Sequence, residues 1–137
     1  MQILIFRLKD YHFGILTDNV IEIMKKNVVK SIPNSPEWVE GLINLRGEVL
    51  TLVNMYSLLK MDDFNLDDCY NNTVIVKLDE NSIALMVDEI IGVTDINEND
   101  LQSASENDNS FVGSLITIDD RIINVLELKS LFEETEG

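Results

Sequence analysis

With one cysteine, Cys69, the chain cannot close a disulfide on itself, so its fold must be held by packing alone, which suits a reducing compartment. With one histidine, His12, it also lacks the spaced His and Cys groups of a zinc site. No Gly-rich phosphate loop and no Gly-x-Ser-x-Gly run is present, which removes the commonest nucleotide and hydrolase signatures. Bases are scarce: 10 Lys and Arg stand against 25 Asp and Glu, a formal charge of −15. Phosphate binding needs cations that displace counterions, so this surface disfavours DNA, RNA and anionic membrane leaflets, and no aromatic platform offsets that. No apolar run approaches the length of a membrane-spanning helix, and Arg7 and Lys9 lie within an alternating strand pattern rather than in a basic leader. These absences point to a cytoplasmic protein that is neither membrane-inserted nor a binder of nucleic acid.

What is present is enough for one globular domain: 137 residues, 45% hydrophobic and 26% charged. The chain repeats itself. Residues 6–23 align with 76–93 at an offset of 70 (6 to 76), with Phe6 over Val76, Ile15 over Leu85, Asp18 over Asp88 and Val20 over Ile90. Residues 42–59 align with 115–132 at an offset of 73 (42 to 115), with Leu50 over Ile123 and Ser57 over Ser130. Two blocks in one order at nearly one offset indicate a duplicated unit.

Each unit reads as short strands broken by polar turns, the pattern of small barrels or sandwiches. Lys9 to His12 and Asp79 to Ser82 are equivalent turns. The runs 49–53 and 122–126 are apolar at almost every position, as in strands buried on both faces. Residues 61–71 read as an acidic connection, and 95–110 as a polar, mobile loop. Ser35 as N-cap and Pro36 at the first turn predict a short helix ending at Gly41. A strand–turn–strand with Arg46 and Gly47 at its tip follows. Short helical turns are also expected over Asn54 to Lys60 and Glu127 to Glu134.

No candidate for chemistry survives inspection. Asp119 and Asp120 are adjacent on a turn, where side chains point apart and solvation explains them. His12 falls in a predicted turn and reads as a surface residue, and Cys69 has no histidine near it in sequence. Asp95, Asn97, Asn99 and Glu106 occupy positions 1, 3, 5 and 12 of a calcium loop, but Asp100 stands where the sharp turn needs glycine. No catalytic residue, metal set or cofactor site is therefore assigned.

The run IPNSPEWVEGLINLRGEVLTLV over residues 32–53 carries a resemblance. Pro33 and Pro36 lead into Gly41, Asn44, Leu45, Arg46 and Gly47, which resembles the Gly-x-x-Asn-Leu-Arg-Gly hairpin of the CheW family of chemotaxis coupling proteins, including the CheW-like regulatory domain of the kinase CheA. The likeness extends over essentially the whole chain. It implies an all-β fold of two small five-stranded SH3-like barrels related by a pseudo-two-fold repeat, with a shared hydrophobic core and few short helices. The single domain 1–137 would divide into subdomains of about 1–66 and 67–137, with strand exchange between them allowed.

The resemblance further implies a non-enzymatic scaffold. It would join the cytoplasmic tip of a methyl-accepting chemoreceptor, held in a groove between the barrels, to the regulatory domain of the histidine kinase CheA. Such a protein would work at receptor arrays on the inner face of the membrane through its partners. Val20, Glu22 and Ile23 match the family pattern that borders the binding groove; Val20 and Ile23 read equally well as core, whereas Glu22 does not. With Gly41, Asn44, Leu45, Arg46 and Gly47 they form the candidate receptor- and kinase-binding set. Val74, Ile75 and Ile90 are expected to supply apolar contact area. Three positions depart from the family: Thr51 in place of proline, Asn54 in place of aspartate, and Tyr56 in place of arginine. They put the kinase-facing detail in question more than the fold. Two other readings remain open: a CheW-like regulatory fragment of a larger signalling protein, and a small-barrel ligand-binding protein.

Overall fold

The computed structural model of the protein describes residues 1–26, 29–61, 69–103 and 112–136. Its strands are β1 (Gln2–Leu8), β2 (Tyr11–Leu16), β3 (Val20–Lys25), β4 (Val39–Leu45), β5 (Glu48–Val53), β6 (Asn72–Leu78), β7 (Asn81–Val87), β8 (Glu89–Asp95), β9 (Gln102–Ser103), β10 (Val112–Ile118) and β11 (Arg121–Leu126). Two short helices, α1 (Met55–Leu58) and α2 (Leu128–Glu136), follow β5 and β11. The fold is mostly β.

The chain forms two compact units. One is the continuous segment Asn19–Glu89. Its five-stranded sheet has the order β3-β6-β7-β5-β4, antiparallel except for the parallel pair β5–β7. Its core gathers Ile43, Leu50, Leu52, Tyr70, Ile75, Ala84 and Met86, with Met24, Val29 and Leu45 packed against them. Leu52 is wholly buried, a position that contributes about 1.5–3 kcal/mol.

The other unit joins Met1–Asp18 to Ile90–Gly137. Its sheet has the order β8-β1-β2-β11-β10-β9, with β11 and β2 parallel. Ile3, Ile5, Ile116, Ile123 and Val125 form its core. Strand β1 buries Ile3, Leu4, Ile5 and Phe6 in succession, as a near-continuous apolar run does when both faces are covered.

The duplication read from the sequence is present down to the register. Replacing each strand by its repeat counterpart turns β3-β6-β7-β5-β4 into β8-β1-β2-β11-β10, with β9 as the addition. Ile5 pairs with Gly14 as Ile75 pairs with Ala84, and Ile43 pairs with Leu50 as Ile116 pairs with Ile123. A bulge between Val39 and Gly41 recurs between Val112 and Ser114. Lys9 and Asp79 are both left-handed, each with φ 56°. The expected burial of Leu50, Leu52, Ile123 and Val125 is observed.

Several expectations are corrected. The compact units are not the plain halves 1–66 and 67–137 but show the strand exchange that the resemblance allowed. Each unit takes strands from both halves, so the hairpin β1–β2 and the hairpin β6–β7 are exchanged between them. No helix opens at Ser35. The Ser35 hydroxyl donates to the Ile32 carbonyl at 3.0 Å, and Val39 N–H donates to the Pro36 carbonyl at 3.0 Å, which closes a turn before β4 begins. Six or seven residues with no following apolar turn cannot repay helix nucleation when a strand partner is at hand. Strands β5 and β11 are not buried throughout, because Val49 and Ile122 beside the hairpin tips are 60% and 61% exposed. His12 lies within β2, half-buried, rather than in the turn. Residues 62–68 of the expected connection and 104–110 of the expected loop lie outside the described residues.

Candidate functional site

The hairpin β4–β5 turns through Arg46 and Gly47, at φ 51° and 88°. Positive φ at both central residues is the two-residue turn that suits the twist of adjoining strands. Glycine takes it freely, whereas an arginine is held there against its preference. Asn44 supplies part of the hold: its Oδ1 accepts from the Gly47 N–H at 3.0 Å. Leu45 turns inward onto the core. The equivalent turn of the other unit, Asp119 and Asp120, takes φ 51° and 64° without any glycine.

The Arg46 guanidinium is engaged. Its Nη1 and Nη2 donate to Oε1 and Oε2 of Glu22 at 2.7 and 2.8 Å, a two-pronged ion pair. The hydrogen bonds from Arg46 hold the Glu22 carboxyl below its ordinary pKa, and the same contacts raise that of Arg46. Glu22 sits on β3 and Arg46 at the end of β4, the two outer strands of one sheet, so the pair bridges sheet edge to sheet edge. Met24 of β3 and Ile43 of β4 pack on the same core, which closes the sheet into a small barrel. The Arg46 side chain is nonetheless 71% exposed, against 25% for Glu22. A guanidinium has five donors in a rigid fork, and most of this one faces solvent.

The remaining candidate residues divide. Val20 and Glu22 flank a bulge in β3, after which Ile23 points outward, 42% exposed. Ile21 beside it is 51% exposed, so the strand presents an apolar outer row at a sheet edge. Ile90 is the second residue of β8 and is half-buried. Gly41 neither closes a helix nor reaches outward. A Cβ there would stand 2.3 Å from the Lys30 carbonyl oxygen, because Lys30 and Leu42 pair backbone to backbone. Its glycine is required by close packing. Val74 and Ile75 are corrected outright as contact residues: they are 0% and 1% exposed, and Ile75 belongs to the core. A side chain that is already buried has no area to offer a partner.

The calcium reading gains no support. Asp95 and Asn97 line a depression of about 350 Å³ with Asp100, Gln102 and Thr117, but the Asn97 Oδ1 accepts from Asn99 N–H, and Glu106 lies outside the described residues. Among the described residues no group of three His, Cys, Asp or Glu is placed to hold a metal ion. No helix among them is long and apolar enough to cross a membrane.

Two features escaped the sequence reading. The Tyr56 hydroxyl donates to Oδ1 of Asp88, both groups buried. Lys26 Nζ stands 5.7 Å from the centre of the Tyr70 ring. The only sequence signal for the first was that Asp88 sits in an apolar context.

Comparison with known proteins agrees with this geometry. The family model "CheW-like domain" matches residues 2–136. The chain belongs to the CheW-like domain family. It is similar to chemotaxis protein CheW of Thermotoga maritima, 28% identical over 136 residues that cover 97% of this chain and 88% of the relative. It is similar also to a probable chemotaxis protein CheW of Rhizobium etli, 29% identical over 141 residues, covering 99% and 90%. The crystal structure of scaffolding protein TtCheW from Thermoanaerobacter tengcongensis matches with a TM-score of 0.85 at 28% identity, over 96% of this chain and 92% of that one.

Proposed function

We propose that this protein is a chemotaxis scaffold that holds a chemoreceptor's cytoplasmic tip and the histidine kinase CheA together, without catalysis of its own. It acts in the cytoplasm, at receptor arrays, through those partners. Two interfaces on one protein raise the effective concentration of kinase at receptor, which is all a coupling protein need do. The observation that carries the reading is the exposed Arg46 fork, aimed by Glu22 and by the Asn44-closed turn. Family membership supports it, and so does the apolar edge formed by Ile21 and Ile23 on β3. In this reading Val20, Glu22, Ile23, Asn44, Leu45, Arg46, Gly47 and Ile90 shape or touch the docking surfaces, while Gly41, Val74 and Ile75 serve the fold.

The test is a pulldown of purified protein with a receptor cytoplasmic fragment and with CheA, separately and together. The expected result is capture of each, greater recovery of all three together, and stimulated kinase autophosphorylation in the ternary mixture. Capture of neither partner at micromolar concentration overturns the proposal.

A further inference from the structure

The chain passes between its two compact units twice, after Asp18 and after Glu89. The repeat makes these crossings counterparts, with Asp18 matched to Asp88, Gln2 to Asn72 and Lys129 to Tyr56. Their side-chain chemistry differs sharply. At the second crossing Asp88 is the single residue between β7 and β8 and is 4% exposed. Its carboxyl oxygen accepts from the Tyr56 hydroxyl, which α1 holds fully buried, and its main-chain oxygen accepts from Asn72 Nδ2 at 3.3 Å. At the first crossing the turn Thr17–Asn19 contains no buried residue. Asp18 and Lys129 are both exposed, and the Thr17 hydroxyl lies a long 3.5 Å from the Gln2 carbonyl oxygen.

We infer that Tyr56 and Asp88 form a latch on the second crossing, and that the first crossing is the compliant one. Breaking a buried hydrogen bond takes a partner from two desolvated groups, whereas Thr17–Asn19 contains no buried residue, so local opening is cheaper there. The difference bears on the site. Strand β3, which carries Glu22, starts directly after the compliant crossing; β8, which carries Ile90, starts directly after the latched one. A partner gripping Glu22 and Arg46 thus acts on a strand whose leading end can yield. That last step rests on the docking proposed above. The latch itself does not, and the experiment reads it in the isolated protein.

The test is hydrogen–deuterium exchange on the full chain. In the parent, amides of Thr17 to Val20 exchange about tenfold faster, or more, than those of Asp88 to Ile91. Tyr56→Phe keeps the ring and removes the donor; it raises exchange at Asp88 to Ile91 about tenfold while the β4–β5 hairpin stays as protected as before. Asp88→Ala gives the same local gain. Asp88→Asn keeps an acceptor for the hydroxyl and stays close to the parent. Equal protection of the two crossings in the parent overturns the inference, as does a gain in Tyr56→Phe that spreads evenly over both units. Should Tyr56→Phe fail to fold, Asp88→Ala against Asp88→Asn makes the same comparison, and no difference between those two overturns the latch.

Discussion

Glu22 and Arg46, 24 residues apart in sequence, meet across the open side of a five-stranded sheet and tie its two outer strands together. Their repeat counterparts are Gly92 and Asp119, which have no such tie to make, since glycine has no side chain to offer. The second unit folds on the same topology without the pair. The pair is therefore an addition specific to one barrel rather than a demand of the fold.

Arg46→Ala should accordingly leave the thermal midpoint close to that of the parent, because solvent-exposed pairs contribute little. It should cut capture of CheA or receptor fragment severalfold in the pulldown. Arg46→Lys should recover only part of that loss, as it keeps the charge and loses the fork. An Arg46→Ala protein that melts and binds like the parent removes Arg46 from the docking surface.

The pair also sets a pH dependence. Glu22 has a folded pKa below its ordinary 4.5, so its contribution is present above that value and lost as pH falls through the folded pKa. Arg46, whose hydrogen bonds to Glu22 raise it above its already high ordinary value, loses its contribution only at strongly alkaline pH, outside the working range. Binding measured from pH 8 down to 5 should be flat with respect to this pair. Differences between parent and Glu22→Gln in an acid melt should narrow only below about pH 4.

Ile75→Ala should destabilise the protein by about 2–5 kcal/mol through the cavity it leaves, and Ile75→Asp or Val74→Asp should abolish the cooperative melt, since each buries an unpaired charge. Binding loss in these variants should track the fraction unfolded in urea titrations, not a lost contact.

Gly41→Ala must move the Lys30 backbone, and the overpacking should cost about 1–3 kcal/mol. Asp120→Gly works in the opposite sense. Its φ of 64° suits glycine, and relief of that strain should raise stability by about 0.5–1 kcal/mol, read as a higher urea midpoint with unchanged slope.

The duplicated strands and both hairpin tips were legible in the sequence, because alternation and turn chemistry are local. So was the identity of Glu22 and Arg46 as candidates. Their pairing was only one of several options, since nothing local says which acid a turn arginine will reach. Periodicity marks a strand but not the sheet it joins, so, although the resemblance allowed exchange between the units, which hairpins exchange, β1–β2 and β6–β7, was not legible. Val74 and Ile75 were misread for a related reason: a run apolar on both faces looks the same whether its second face meets a partner or its own chain. The helix expected from Ser35 and Pro36 failed because the turn at Pro36 hands the chain directly to β4, where Val39 pairs with Val53.

The exchange of hairpins gives the chain an order of assembly. The unit Asn19–Glu89 is one unbroken stretch, so a ribosome delivers all of its strands before β8 has emerged. The hairpin β1–β2, made ahead of that unit, has to wait with both its edges unpaired until β8 and β11 arrive to flank it. Unpaired strand edges are where chains stick to one another, so this hairpin is open to such contacts for as long as Asn19–Glu89 is being made.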